Sequence, residues 1–240
     1  MKKTRTVHTT RQGVDWAGVR QRAVQVVAVL LLEMLLLFLS SWRLDWIWAW
    51  VLVGLNLAGI SINAAFMLRR HADTVAERGR PGEMRDWDKV IGGLWGVMNF
   101  VVVLLVAGLD VRWGWTLGLA VAWHLVGAAV FGLGFALTSW AMISNAFFST
   151  VVRIQEDRGH TVYTGGPYRV VRHPGYVGAI LQSLATPILL GSLWALIPGA
   201  VAALLMVART ALEDRTLHRE LAGYPEYARQ VRYRLLPGIW

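Results

Sequence analysis

The sequence predicts an all-α fold: a polytopic bundle of transmembrane helices, four spans followed by a C-terminal helical hairpin, with both termini cytoplasmic. Three observations predict it. Of the 240 residues 55% are hydrophobic and only 16% are charged, whereas a soluble domain carries about 25% charged residues. Several apolar runs reach the roughly 20 residues that take a helix across a bilayer. Finally, the cations sort by side. Residues 1–22, 69–89, 148–175 and 209–240 hold 22 of the 24 Lys and Arg, and the alternating connections hold only Arg43 and Arg112. By the positive-inside rule, both termini and both long connections then face the cytoplasm.

The elements follow in order. The basic segment MKKTRTVHTTRQGVDWAGVRQR precedes an apolar run over 23–42. That run is longer than the core of a signal peptide and no small-x-small cleavage site follows it, so it reads as a retained first span, Ala23–Trp42. The next spans are Trp46–Met67, Val90–Leu109 and Trp115–Phe148, with Trp42, Trp46, Trp113, Trp115 and Trp194 near the ends as an interfacial belt. The fourth run holds 34 residues, about 51 Å of helix at 1.5 Å per residue, so it must tilt or project into water. Tyr176–Ser192 and Leu193–Ala208 are short, meet at Gly191–Ser192, and are flanked by Pro187 and Pro198, which predicts a tight hairpin. Gly92-x-x-x-Gly96 and Gly127 invite close helix contact. Residues 1–147 read as a membrane scaffold and 148–240 as the region that carries chemistry.

Several function classes drop out. The absence of cysteine removes disulfides, thiolate metal sites and cysteine nucleophiles. The histidines form no H-x-x-x-H pair, so no metal site is expected. The formal charge of +9 is a topology and anionic-lipid signal rather than a nucleic-acid one. Phe131-Gly132-Leu133-Gly134 imitates part of a dinucleotide fingerprint, but it lies inside an apolar helix with no strand before it. Glu33 falls in mid-membrane, where it must be protonated, paired across helices or turned to a polar cavity. His124 reads as a packing residue.

Two polar clusters remain. In VVRIQEDRGHTVYTGGPYRVVRHPG, residues 151–175, Gly165 and Gly166 allow unusual backbone angles, while Pro167 and Pro174 fix φ. The loop should therefore hold a defined shape, with a helix starting near Pro174–Tyr176 whose free N–H groups suit an anion. Alternatively it is an ordered connector in which His173 ties down a turn. The second cluster, residues 207–240, carries the last apolar helix into water. There Arg209 and Glu213 share a face, either as an ordinary surface pair or with Arg209 positioned to hold a carboxylate by two prongs.

Taken together, the clusters resemble a known family. GGPYRVVRHPGYVG, then Glu213-Asp214-Arg215-Thr216-Leu217, then Tyr224–Tyr227 and LLPGIW, are similar to the isoprenylcysteine carboxyl methyltransferases and, more broadly, to the integral membrane methyltransferases that include phospholipid N-methyltransferases. The likeness covers roughly residues 145–240. It implies an S-adenosyl-L-methionine site at the membrane–cytosol boundary, facing the cytoplasm, and a lipophilic methyl acceptor. Carried over by motif, His160, Thr161, Val162 and Tyr163 form a strand-like cofactor-lining piece, joined by Gln155. Tyr168, His173, Pro174, Gly175 and Tyr176 wrap the cofactor, Glu213 contacts it from the last helix, and Arg209 holds the acceptor as the catalytic residue. Asp214 replaces the second acid of the family's Glu-Glu-x-x-Leu pattern.

The chemistry agrees with the resemblance. Aromatic faces suit a sulfonium and an adenine, and methyl transfer needs alignment more than acid–base help. A carboxylate acceptor such as that of an isoprenylcysteine is already ionised. A phospholipid amine or a thiol are alternative acceptors. An NADPH-dependent sterol-reductase-like oxidoreductase is the alternative of another class, disfavoured by Pro174 and the Glu213-Asp214 pair.

Overall fold

The computed structural model describes residues 15–70, 72–79 and 84–240. The cations Lys2, Lys3, Arg5, Arg11 and Arg80, counted in the charge distribution, lie outside the described residues. Helix α1 (Trp16–Ser41) is started by Asp15, whose carboxylate accepts from the Ala17 and Gly18 amides at 3.1 Å, and it ends at Trp42 in the left-handed region. It is followed by α2 (Ile47–Arg70), α3 (Ala72–Gly79) and α4 (Asp86–Val97). A π-turn over Met98–Val102 joins α4 to α5 (Val103–Trp113), so one helical run crosses from Asp86 to Trp113. Then come α6 (Val121–Ser144), α7 (Pro174–Leu190), α8 (Leu196–Glu220) and α9 (Tyr224–Gln230). No strand occurs among the described residues.

The all-α prediction holds. Helices α1, α2, α4–α5, α6 and α8 are long and apolar enough to cross a membrane, and α7 is a shorter apolar helix. Three details differ from the sequence reading. The fourth span is not an over-long helix: residues 115–120 are irregular and α6 begins at Val121, within ordinary spanning length. The 69–89 connection carries α3, whose apolar residues are too few to show in a hydropathy scan. His160–Tyr163 is irregular and forms no strand.

Small residues set the closest contacts. A Cβ at Gly134 would stand 2.7 Å from the Gly178 carbonyl, and one at Gly178 would stand 2.4 Å from the Gly134 carbonyl. A Cβ at Gly127 would come within 2.4 Å of the Leu189 amide. Helices α6 and α7 therefore touch backbone to backbone, as small residues permit in lipid. Gly92 and Gly96 make no such approach: Gly96 meets nothing within 4 Å. The expected packing role holds for Gly127 and fails for the Gly92–Gly96 pair.

The apolar core lies where α1, α2, α5, α6 and α7 converge, around Leu37, Leu52, Leu104, Phe131 and Leu189. His124 is a packing residue as expected, stacked on Trp48 at 4.3 Å and bonded through Nδ1 to the Leu189 carbonyl at 2.8 Å. Of the three options for Glu33, the structure shows pairing across helices: it accepts from the Asn56 side chain of α2 at 2.9 Å.

The turn between α7 and α8 is held by a buried carboxylate. Asp110, at the end of α5, accepts from the Thr116 amide (2.7 Å), the Thr116 hydroxyl (2.6 Å) and the Ser192 hydroxyl (2.5 Å). The Ser192 oxygen in turn accepts from the Ala195 amide at 3.1 Å. Gly191, at φ 81°, closes α7 in the left-handed conformation that a glycine adopts without strain.

Candidate active site

At the opposite end of the hairpin, the segment from the end of α6 to the start of α7 folds over α8 and α9 and encloses a cavity. Its walls come from Phe147, Phe148 and Val151–Gln155, from His160–Tyr163 and Tyr168, and from Arg172, His173, Gly175 and Tyr176. Glu213, Leu217, Leu221, Tyr224 and Tyr227 complete it. Of the residues expected at a cofactor site, Gln155, His160, Thr161, Val162, Tyr163, Tyr168, His173, Gly175, Tyr176 and Glu213 border this one space. Pro174 does not border it. Instead it occupies the first position of α7, where the missing N–H is no loss.

Local sequence explains the wall. Gly166 takes φ 53° and starts a 3₁₀ turn that buries Pro167 and Tyr168. Here the left-handed angle demands glycine. A Cβ at Gly175 would strike the Phe148 ring at 2.5 Å, so that glycine admits an aromatic wall beside the start of α7. The amides of Tyr176 and Val177 turn back to the His173 carbonyl (3.1 and 3.3 Å), which leaves Gly175 as the first-turn amide able to face a ligand.

Helix α3 fastens the other side. Arg78 donates to the Phe148 carbonyl through Nε (3.1 Å) and Nη2 (3.0 Å), and the Thr74 hydroxyl donates to the Ala146 carbonyl at 2.9 Å. Arg153 reaches Glu77 at 3.2 Å. Gln155 is buried and donates to the Phe147 carbonyl at 2.7 Å.

The aromatic groups are arranged in pairs. His160 stacks on Phe147 at 4.7 Å, Tyr163 meets Tyr168 edge-on at 5.6 Å, and His173 lies parallel to Tyr176 at 5.7 Å. The His160 Nδ1 accepts the Gln155 amide at 3.3 Å. Burial, aided by Arg153 and Arg158, pushes its imidazole down to about 4, so it is neutral at physiological pH. Burial raises the phenols of Tyr168, Tyr224 and Tyr227, so all three stay protonated. The Tyr227 hydroxyl donates to the Tyr168 carbonyl at 2.7 Å. Tyr176 donates to Glu213 across the cavity.

Beneath the cavity sits a group whose importance sequence reasoning missed. Asp214 is 1% exposed. It accepts from Arg172 through Nε (2.8 Å) and Nη2 (3.1 Å), from Arg234 Nε (2.7 Å) and from the Tyr224 hydroxyl (2.9 Å), and it lies 3.3 Å from His173 Nε2. The Arg172 Nη1 donates to the Val231 and Arg232 carbonyls at 2.8 Å. The amides of Arg172 and His173 pair with the Tyr233 and Arg234 carbonyls at 2.9 Å. One carboxylate thus binds the start of α7, helix α9 and the segment after it into one unit. Asp214 helps to fix His173, so the second acid is a structural hub beside the cavity. The signal available in the sequence was the arginine immediately before His173, which needs a buried counter-charge.

Arg209 is placed differently from the simple expectation. No Arg209–Glu213 ion pair forms among the described residues. Instead Arg209 pairs with Asp88 at the start of α4, Nε to one oxygen at 2.7 Å and Nη2 to the other at 3.1 Å, while Nη2 also donates to the Thr150 carbonyl at 3.0 Å. Arg209 does not border the cavity. Its guanidinium lies 5.4 Å from the centre of the Tyr176 ring, which does. Asp88 is wholly buried and also accepts the Val152 amide at 2.8 Å. In sequence it looks like an ordinary acid in the first turn of a helix.

The residues bordering the cavity suit S-adenosyl-L-methionine: flat aromatic faces for a purine, tyrosine rings and a carboxylate for a sulfonium, and the Gly175 amide for a carboxylate tail. Residues 122–222 match the family model described as phospholipid methyltransferase. That region takes in most of the cavity wall. A curated protein from Schizosaccharomyces pombe, named Protein-S-isoprenylcysteine O-methyltransferase, is 41% identical over 61 residues. The match spans 25% of this chain and 26% of that relative. The resemblance to membrane methyltransferases drawn from the motifs is thus supported by a family model over residues 122–222 and by a partial match to an isoprenylcysteine methyltransferase.

Proposed function

We propose that this protein is an S-adenosyl-L-methionine-dependent methyltransferase of the membrane, transferring a methyl group to the carboxylate of a lipophilic acceptor such as an isoprenylcysteine. The observation that carries this reading is the aromatic cavity between the 145–176 segment and α8–α9, most of whose wall lies within residues 122–222, the region similar to phospholipid methyltransferases. Gln155, His160–Tyr163, Tyr168, His173, Gly175, Tyr176 and Glu213 bind the cofactor, with Pro174 setting the start of α7. Arg209 orients the acceptor. Residues 1–147 are the scaffold and 148–240 the catalytic region. The side bearing the cavity also carries most of the cations, which supports a cytoplasmic active site with both termini on that side.

When bound, the cofactor supplies an electrophilic methyl on a sulfonium. The chain does the rest. Tyr168 and Tyr176 offer aromatic faces that hold a cation. Neutral His160 keeps its Nδ1 for the Gln155 amide, so the 155–160 turn stays shut over the cavity floor. Arg209 aligns an acceptor that is already ionised, so no general base is required. In-line alignment and exclusion of water then supply the rate.

The test is calorimetric titration of the detergent-solubilised protein with S-adenosylhomocysteine, followed by transfer of labelled methyl to farnesylcysteine, phosphatidylethanolamine and a thiol. Binding, with label on farnesylcysteine, is the expected result. Label on the amine instead would move the acceptor to a phospholipid. No binding by folded protein overturns the reading.

A further inference from the structure

The pairing of Arg209 limits how it can meet an acceptor. A free guanidinium grips a carboxylate by two prongs, through Nε and Nη2 or through Nη1 and Nη2. Here the first edge is taken by Asp88. The second is broken, because Nη2 gives its two hydrogens to Asp88 and to the Thr150 carbonyl. Among the described residues Nη1 has no partner, and Arg209 keeps only 8% of its surface exposed. The Asp88–Arg209 pair is also neutral as a unit.

Asp88 is in turn fixed from three directions. It belongs to the first turn of α4, accepts the Val152 amide from the cavity wall, and faces Arg209 of α8. The Thr150 carbonyl ties the same wall to Arg209, and Tyr176 borders the cavity while lying against the guanidinium. The wall residues 150–152, the arginine and the tyrosine therefore hold one relative position, and Asp88 is where they join.

We propose that Asp88 is a positioning residue for methyl transfer: it locks Arg209 by Nε and Nη2 and presents Nη1 alone, so that the acceptor is held through one oxygen. The other carboxylate oxygen is left clear of the guanidinium and free to receive the methyl group. This rests on the methyltransferase reading. It differs from the two-pronged grip that an unpaired arginine would make, and it assigns a role to a residue of the N-terminal half.

The test uses the full chain and two measurements. In Asp88→Asn the side-chain oxygen can still accept the Val152 amide, but the charge and the two-pronged hold on Arg209 are lost. The released arginine can then take both carboxylate oxygens, so the expected result is a fall of about tenfold or more in kcat, with the KM for farnesylcysteine unchanged or lower and S-adenosylhomocysteine affinity within about twofold of wild type. Asp88→Glu, which keeps the charge, should recover part of that loss. An unchanged kcat overturns the proposal, as does an equal loss of acceptor and cofactor affinity, which is what a merely structural role gives. The second measurement needs no variant. The primary amide of farnesylcysteine, offering one carbonyl oxygen, should inhibit the wild type with a constant within about tenfold of the carboxylate's KM; weakening beyond about a hundredfold indicates a two-pronged grip and overturns the proposal. Wild type that binds no S-adenosylhomocysteine removes the methyltransferase reading and this proposal with it. Wild type that binds and turns over while either measurement fails removes the role of Asp88 alone.

Discussion

The two ends of the α7–α8 hairpin are each organised by a buried aspartate, and the aspartates differ in what they hold. At the turn, Asp110 collects an amide and two hydroxyls, all neutral. At the other end, Asp214 collects two arginines, a tyrosine and a histidine. Three neutral donors satisfy a carboxylate and fix a turn, which is all the first end needs. The second end gathers charge: removing its carboxylate would leave Arg172 buried without a counter-ion, beside the histidine and tyrosine that border the cavity. The same device thus serves as a structural pin at one end and as the foundation of a site at the other.

The sharpest way to break this comparison is Asp214→Ala. Breaking a buried ion pair costs about 3–5 kcal/mol, so unfolding in mixed micelles should shift by that amount and S-adenosylhomocysteine binding should be lost. Asp110→Ala should cost less, about 1–3 kcal/mol for unsatisfied neutral donors, and should leave cofactor affinity unchanged because the cavity lies at the far end. Loss of affinity in Asp110→Ala would erase the distinction between the two ends. A subtler contrast is pH. The His160 pKa is lowered from 6.5 to about 4, so the unfolded chain takes up that proton first as the solution is acidified. Its contribution to stability is complete above 6.5 and is lost as pH falls through 4. Unfolding followed from pH 7 to 4 should show this slope, and His160→Asn should flatten it. The smallest effect belongs to Asp157→Ala, which removes an exposed partner of Arg153 and should change stability by about 1 kcal/mol or less.

How far the sequence could be read follows the same division. The spanning helices were legible because lipid demands long apolar runs, and hydropathy reports those directly. The segment around Gly166 and Pro174 was legible as an ordered loop because glycine and proline constrain the backbone locally, and its candidate site residues came from the family resemblance. Asp88 and Asp214 were not. Asp88 meets Arg209 across 121 positions and Asp214 meets Arg172 across 42, and no local pattern encodes a partner at that distance. Helix α3 was missed for another reason. It is short and polar: Thr74, Glu77 and Arg78 hold it to the cavity loop, and Ala76 and Gly79 bring it close to the backbone of α1 at Gly18.

The glycine contact between α6 and α7 has a mechanical consequence. Helices α6 and α7 touch through their backbones and are tied by the Thr138 hydroxyl to the Gly175 carbonyl (3.3 Å), and parting them would expose polar backbone groups to hydrocarbon that cannot solvate them. Helix α4 meets α8 in another way, through Asp88 with Arg209 and Arg85 with Glu220. The buried Asp88–Arg209 pair is costly to part, while the half-exposed Arg85–Glu220 pair adds little. Along α6–α7 the bundle is held by backbone proximity, and along α4–α8 by charge.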